Sequence, residues 1–155
     1  MIDFAPVQRP INPANTAEDK GKEQENPEGI LSKKLDELLK ENDFVVINFY
    51  RGLWCPYCNL ELKALQSIND ELINNNAKLV AISPQTPDAS LTTKEKNELE
   101  FEVLSDSHNT LAKDYGLVFS LAQELRPIYE SFGIDIVGLN DEDSFELPLP
   151  ATYVI

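Results

Sequence analysis

Two cysteines, Cys55 and Cys58, are the residues of this 155-residue chain whose type and spacing point most directly to chemistry. They lie three positions apart in the string Trp-Cys-Pro-Tyr-Cys. Two thiols at this spacing can interconvert between a dithiol and a disulfide, and thiolates are the attacking species in such reactions. A C-x-x-C pair indicates redox chemistry when it lies within a strand–helix–strand unit. The elements around it therefore decide its interpretation.

The sequence on both sides of the pair predicts such a unit. Residues 44–50 form an apolar, β-branched and aromatic run, and residues 78–83 form a second one. Strands that are apolar at nearly every position are typical of parallel sheets covered on both faces. Between them, residues 56–76 carry the apolar periodicity of a helix, and a connection of this kind is right-handed. The pair thus falls between a buried strand and a helix.

This placement predicts different roles for the two thiols. Unpaired N–H groups and the helix dipole at the start of the helix favour an ionised sulfur at Cys55, so we expect Cys55 to be the attacking nucleophile. Cys58, about one turn into the helix, is the expected resolving thiol. Arg51 is a nearby fixed positive charge, and Pro56 presets the first helical turn.

Other uses of the cysteines are weaker. A structural zinc site needs about four ligands, whereas the chain has two cysteines and one histidine. Two cysteines are also too few for a disulfide scaffold. The main alternative to a redox pair is two unreactive core cysteines, because free cysteine is often buried. We therefore predict no metal and no cofactor.

Charge and composition limit the location and the partners. The formal net charge is −14, which disfavours binding to nucleic acid and to anionic membranes. No apolar stretch approaches the roughly 18–20 residues that span a bilayer. The N-terminus has no apolar signal-peptide core, so we expect a cytoplasmic protein.

The rest of the chain predicts one domain behind a leader. Residues 1–29 are interrupted by prolines and are largely polar, which predicts an extended leader. Residues 30–155 form the domain. Its further predicted elements are a helix from residue 30, a helix at 87–99, a strand at 101–104, helices at 109–115 and 120–132, and a strand at 151–155.

The motif resembles the thioredoxin superfamily, with Trp54 before the first cysteine as in thioredoxins and Pro-Tyr between the two as in glutaredoxins. The longer strings FYRGLWCPYCNLELKAL, VAISPQTPDASLTTKEKNELEFEVLSD and LAKDYGLVF resemble the AhpC/TSA peroxiredoxin-like branch, from about residue 43 to 155. The resemblance implies a thioredoxin-like α/β fold with a central, mostly parallel sheet flanked by helices. It also implies a natural domain that continues beyond residue 155 with another strand and a helix.

At the site, the resemblance places Cys55 at the peroxidatic position. Typical peroxiredoxins have a hydroxyl residue three positions earlier and a proline seven positions earlier, where this chain has Gly52 and Asn48. Peroxiredoxins also have a second active-site arginine near the start of their last matching strand. This chain has Pro150 at that place, so Arg51 is the candidate substitute for the arginine. Pro150 matches the cis proline that packs against the cysteines in thioredoxin-like proteins.

The resemblance implies a thiol-dependent peroxidase. Cys55 would be oxidised by a hydroperoxide to a sulfenic acid, and Cys58 would then close a disulfide for a thioredoxin-like or small-thiol reductant to reopen. One alternative is a thiol–disulfide oxidoreductase acting on protein disulfides, with Trp54, Tyr57 and Pro150 as a flat apolar rim. Another is a redox-inactive binding module, which predicts a buried Cys55 whose thiolate is not stabilised. Peroxiredoxins often dimerise, which implies a homodimer here, although no residue marks an interface.

Overall fold

The computed structural model describes the chain from Pro27 to Ile155, and its side chains from Leu31 onward. The elements, in chain order, are α1 (Pro27–Glu41), β1 (Phe44–Phe49), α2 (Pro56–Ser67), α3 (Asn69–Asn74), β2 (Ala77–Ser83), α4 (Pro87–Lys96), β3 (Glu102–Ser105), α5 (Thr110–Asp114), β4 (Val118–Ser120), α6 (Arg126–Ser131), α7 (Ile136–Asn140), β5 (Glu146–Pro148) and β6 (Ala151–Val154). Helix α1 begins at Pro27, three residues before the predicted start of the domain at residue 30. Residues 1–26 of that leader lie outside the described residues.

The central sheet has the strand order β3-β2-β1-β6. Strands β1, β2 and β3 are parallel to one another, and β6 is antiparallel to β1. The predicted strand–helix–strand unit is therefore β1–α2–α3–β2. This confirms the α/β class with a mostly parallel sheet.

The two faces of β1 bury different halves of the core. Val45, Ile47 and Phe49 pack on one face against the apolar side of α1, whereas Val46 and Tyr50 pack on the other face with Leu62 of α2 and both cysteines. This alternation is the two-residue period of a strand. Fully burying an aliphatic side chain stabilises the fold by about 1.5–3 kcal/mol, so the apolar strand is well fixed beneath the cysteines.

Two predicted helices differ from the structure. The helix at 56–76 is divided at Ile68, whose φ of −107° and ψ of 4° interrupt it and start α3. The helix predicted at 120–132 is reduced to a 3-10 turn at Gln123–Leu125 and α6, because residues 118–120 form β4 and pair with β5. That pairing joins segments far apart in sequence, so no local periodicity indicates it. No helix from Pro27 onward is long and apolar enough to cross a bilayer.

Candidate active site

The loop after β1 delivers Cys55 to the start of α2. Cys55 is the N-cap residue of this helix, with φ −85° and ψ 109°, and its sulfur accepts a hydrogen bond from the Cys58 N–H at 3.4 Å. Pro56, which is exposed, occupies the first helical turn, where a missing N–H is harmless. The predicted junction between strand and helix is confirmed, and the start of the helix does direct an N–H group at Cys55.

The two sulfurs are in contact as free thiols. The Cys58 thiol donates to the Cys55 Sγ at 2.7 Å, and the two residues are 2% and 4% exposed. Burial, and then the hydrogen bond to Cys55, raises the pKa of Cys58 to about 12, although the backbone and charge of Arg51 act in the opposite direction. Cys58 therefore keeps its proton at neutral pH, which suits the thiol that reacts second.

Arg51 and Trp54 belong to the loop that precedes Cys55. Arg51 is half-buried, and its backbone and its charge both act to lower the pKa of Cys58, against the larger effect of burial. The Trp54 indole packs against the core cluster that contains both cysteines, and its edge meets the Tyr129 ring with centroids 5.4 Å apart. Trp54 is thus turned inward and links the cysteine loop to the segment around α6.

The three residues of the apolar rim expected from the sequence differ in their exposure. Tyr57 is 80% exposed and Pro150 is exposed, whereas Trp54 is half-buried. The expectation of a cis bond at Pro150 is wrong, since every peptide bond in the part of the chain that the structure describes is trans. Pro150 lies in the short exposed connection between β5 and β6, and it has the trans form that bonds before proline favour by about 0.5–1 kcal/mol.

Gly52 is a glycine because Trp54 takes the space of a side chain. A Cβ atom at Gly52 would lie 2.5 Å from the indole Nε1 of Trp54 and 2.9 Å from its Cδ1. The φ angle of Gly52 is +155°, which residues with a side chain rarely adopt. The hydroxyl residue of typical peroxiredoxins is therefore excluded here by the orientation of Trp54.

A clamp of side-chain amides, not predicted from the sequence, holds the peptide groups just before Cys55. The Leu53 N–H donates to Gln85 Oε1 at 2.8 Å, and the Leu53 carbonyl accepts from Asn59 Nδ2 at 2.7 Å. Asn97 in turn donates to Asn59 Oδ1 at 3.0 Å. Gln85 follows β2 at the carboxyl edge of the parallel strands, where the sites of α/β proteins form. That position is the sequence feature that could have indicated a role for Gln85 at the site.

Asn48, at the position of the family's proline, is also explained by its contacts. Its side chain is fully buried and donates to Glu61 Oε1 at 3.0 Å and to Thr152 Oγ1 at 2.9 Å. It therefore ties β1 to α2 on one side and to β6 on the other. Within residues 27–155, no group of three or more histidine, cysteine or acidic side chains is placed to hold a metal ion.

Comparison with known proteins agrees with this architecture. The family model described as the AhpC/TSA family matches residues 18–155. A protein of Buchnera aphidicola that bears the name peroxiredoxin bcp is 28% identical over 95 residues, which cover 59% of this chain and 60% of that protein.

Two solved structures share the fold. The peroxidoxin BcpB of Mycobacterium tuberculosis superposes with a TM-score of 0.59 at 22% identity, over 78% of this chain and 65% of its own. A cysteine-to-serine mutant of Xylella fastidiosa PrxQ gives a TM-score of 0.59 at 16% identity, over 78% and 63%. The chain thus spans less than two thirds of the length of each of these three proteins. The match over residues 18–155 establishes that the chain belongs to the AhpC/TSA family.

Proposed function

We propose that this chain is a thiol-dependent peroxidase that reduces hydroperoxides at Cys55. The observation that carries the proposal is the contact of two free thiols at the start of α2, in a chain of the AhpC/TSA family. The Cys55 thiolate attacks one peroxide oxygen and the O–O bond breaks. The other oxygen leaves as water or an alcohol after taking a proton, and the sulfur becomes a sulfenic acid.

Cys58 completes the cycle. Its thiol displaces the hydroxyl of the Cys55 sulfenic acid, which leaves as water, and a disulfide forms between the two sulfurs. Their present separation of 2.7 Å means that this step needs little movement of α2. A thioredoxin-like or small-thiol reductant then reopens the disulfide by thiol–disulfide exchange.

A thiol–disulfide oxidoreductase acting on protein disulfides is the second candidate. Such a reaction requires a partner's sulfur to approach Cys55 along a straight line from outside. Cys55 is 4% exposed, so a protein disulfide has little direct access to its sulfur. A small peroxide reaches a buried sulfur more readily than a protein disulfide does, so burial favours the peroxidase.

The redox-inactive binding module also predicts a buried Cys55. The contacts of the sulfur separate the two interpretations. Cys55 accepts hydrogen bonds from the N–H and from the thiol of Cys58. An inert core cysteine has no need of two donors, so these contacts support a reactive thiol.

The same proposal includes location and assembly. Two cysteines are too few for a disulfide scaffold, which supports a reducing, cytoplasmic location. The net charge of −14 argues against nucleic acid and anionic membranes as partners. A homodimer rests on the family resemblance alone, and sedimentation of the reduced protein would test it.

The deciding experiment is the rate of oxidation of the reduced protein by hydrogen peroxide. Stopped-flow fluorescence of Trp54, the one tryptophan of the chain, would follow the reaction. We expect a second-order rate constant well above that of free cysteine, and its loss in Cys55→Ser. A rate no faster than free cysteine would contradict the peroxidase, and acceleration of insulin reduction by dithiothreitol would then favour the oxidoreductase.

A further inference from the structure

A groove of about 360 Å³ runs beside β3. Helices α1 and α4 supply its walls, and all four residues of β3 form its floor. Successive side chains of a strand point to opposite faces of the sheet. A groove that touches all four residues therefore follows the edge of the strand and not one of its faces.

That edge of β3 has no strand beside it within residues 27–155. Strand β3 ends the order β3-β2-β1-β6, and its parallel pairing joins it to β2 on the other side. An unpaired edge presents backbone N–H and C=O groups to any extended chain, and proteins commonly cover such edges. The groove therefore offers the backbone groups that an added strand would use.

The two helices leave room for a single strand. Leu31 of α1 packs in the cluster that includes Leu104, on one face of the sheet. Helix α4 is tied to α2 on the other face, because its C-cap residue Asn97 donates to Asn59 Oδ1 at 3.0 Å. One extended chain fits between the helices, whereas a second copy would bring its own α1 and α4 against them before the two edges could meet.

Each helix contributes a leucine and a lysine to the groove, Leu31 and Lys34 from α1 and Leu91 and Lys94 from α4. Leu91 is 55% exposed, and both lysines are half-buried. Within residues 31–155, neither lysine forms an ion pair. Glu102 is the one acidic side chain among the described residues that line the groove. The groove is therefore apolar with a net positive charge, in a chain whose net charge is −14.

We propose that residues 2–5 of this chain, with the sequence Ile-Asp-Phe-Ala, occupy the groove as a strand added to the edge of β3. The segment alternates apolar and acidic side chains and has the same length as the four-residue β3. Proline at position 6 ends it, because proline cannot donate to a ladder. Ile2 and Phe4, which share one side of the added strand, pack on the leucine of one wall, and Asp3 points to the lysine of the other.

The connectivity of the chain favours this occupant over a separate partner. Residues 1–26 lead directly into α1, and Leu31 lies in the second turn of that helix. Residues 6–26 can span up to about 70 Å when fully extended, which is enough to return to the groove. Attachment to the same chain gives the segment an effective concentration of about millimolar, which a free peptide or a second copy must exceed to compete.

Hydrogen–deuterium exchange of the full chain, read by mass spectrometry, would test the pairing. Phe4→Asp and Leu91→Asp each place a charge in the contact. We expect the amides of residues 2–5, and those of β3 that are not bonded to β2, to exchange at least about tenfold faster in both variants than in the wild type. Ile73→Asp is the matched control, because Ile73 is 51% exposed on α3 outside the groove, and it should keep the wild-type exchange. Circular dichroism would establish that each variant is folded.

A photo-crosslink would identify what fills the groove. Benzoylphenylalanine in place of Phe4 should crosslink within one chain to α1, β3 or α4, and this needs no substitution in the groove itself. Crosslinks between two chains, with exchange that slows as the protein concentration rises, would assign the groove to a second copy and overturn the inference. Crosslinks to other elements, or exchange that neither variant changes, would also overturn it. None of these results depends on the reaction at Cys55, so the proposed peroxidase is tested separately by its rate with peroxide.

Discussion

Gly52→Ala is the substitution that most directly tests the geometry of the site. The added Cβ would lie 2.5 Å from the Trp54 Nε1 and 2.9 Å from its Cδ1, well inside the ordinary contact distance. Trp54 cannot withdraw freely, because its ring packs on Tyr129 and on the cluster around the cysteines. Either the indole or the loop must therefore move.

The magnitude follows from two separate contributions. Overpacking a filled interior destabilises a protein by about 1–3 kcal/mol. A side chain held at an unfavourable positive φ, here +155°, adds about 1–3 kcal/mol. Gly133→Ala is a matched control, since Gly133 has a φ of +74° but no atom within 4 Å of the added Cβ. We expect Gly52→Ala to lose about 1–3 kcal/mol more stability than Gly133→Ala.

Urea unfolding of the reduced proteins would measure the difference, with circular dichroism as the probe. The emission spectrum of Trp54 gives a second, independent readout, because the chain has one tryptophan. We expect a shifted emission in Gly52→Ala and an unchanged one in Gly133→Ala. If the two variants unfold at the same urea concentration and both keep the wild-type emission, the indole does not lie against Gly52.

Three further predictions concern the thiols and the amide clamp. Cys58→Ser should let a sulfenic acid accumulate on Cys55 after peroxide treatment, seen as one dimedone adduct by mass; equal labelling of both cysteines in the wild type would contradict the assigned roles. Burial raises the pKa of Cys58 to about 12, so the folded chain keeps a proton that the unfolded chain loses near pH 8.5. The free energy of unfolding should therefore fall as the pH rises from about 8.5 towards 12. Urea titrations at pH 8 and 10.5 would show a shallower fall in Cys58→Ser, and equal slopes would be evidence against the shift. Asn59→Ala should lower the free energy of unfolding by about 1 kcal/mol, because the hydrogen bond to the Leu53 carbonyl is lost. It should also slow the alkylation of Cys55. An unchanged alkylation rate would mean that the clamp does not position the sulfur.

The parts of the fold that could be predicted from the sequence depend on local patterns. The runs at 44–50 and 78–83 are mostly apolar, and they form β1 and β2 within one residue of those bounds. Pro56 and the spacing of the two cysteines indicate the start of α2, because a proline at that point and a thiol one turn later are local features. The redox pair followed from these elements alone.

The rest of the site depends on contacts between segments distant in sequence. Gln85 acts on Leu53, which lies 32 positions earlier, and Trp54 packs on Tyr129 from a segment that no pattern joins to it. The inward orientation of Trp54 follows from that contact and from the space that Gly52 leaves. A sequence motif fixes the order of these residues but not the side on which the indole packs.

The departures from the family's pattern are connected through one point in space. A hydroxyl residue at position 52 and the Trp54 indole in its present position exclude each other, because a Cβ there would lie 2.5 Å from the indole nitrogen. The glycine at position 52 and the inward orientation of Trp54 therefore depend on each other and form a single departure from the family's pattern. The absence of a hydroxyl at position 52 is thus a packing consequence of the inward indole. It leaves unchanged the contact between the Cys55 and Cys58 sulfurs, on which the proposed peroxidase rests.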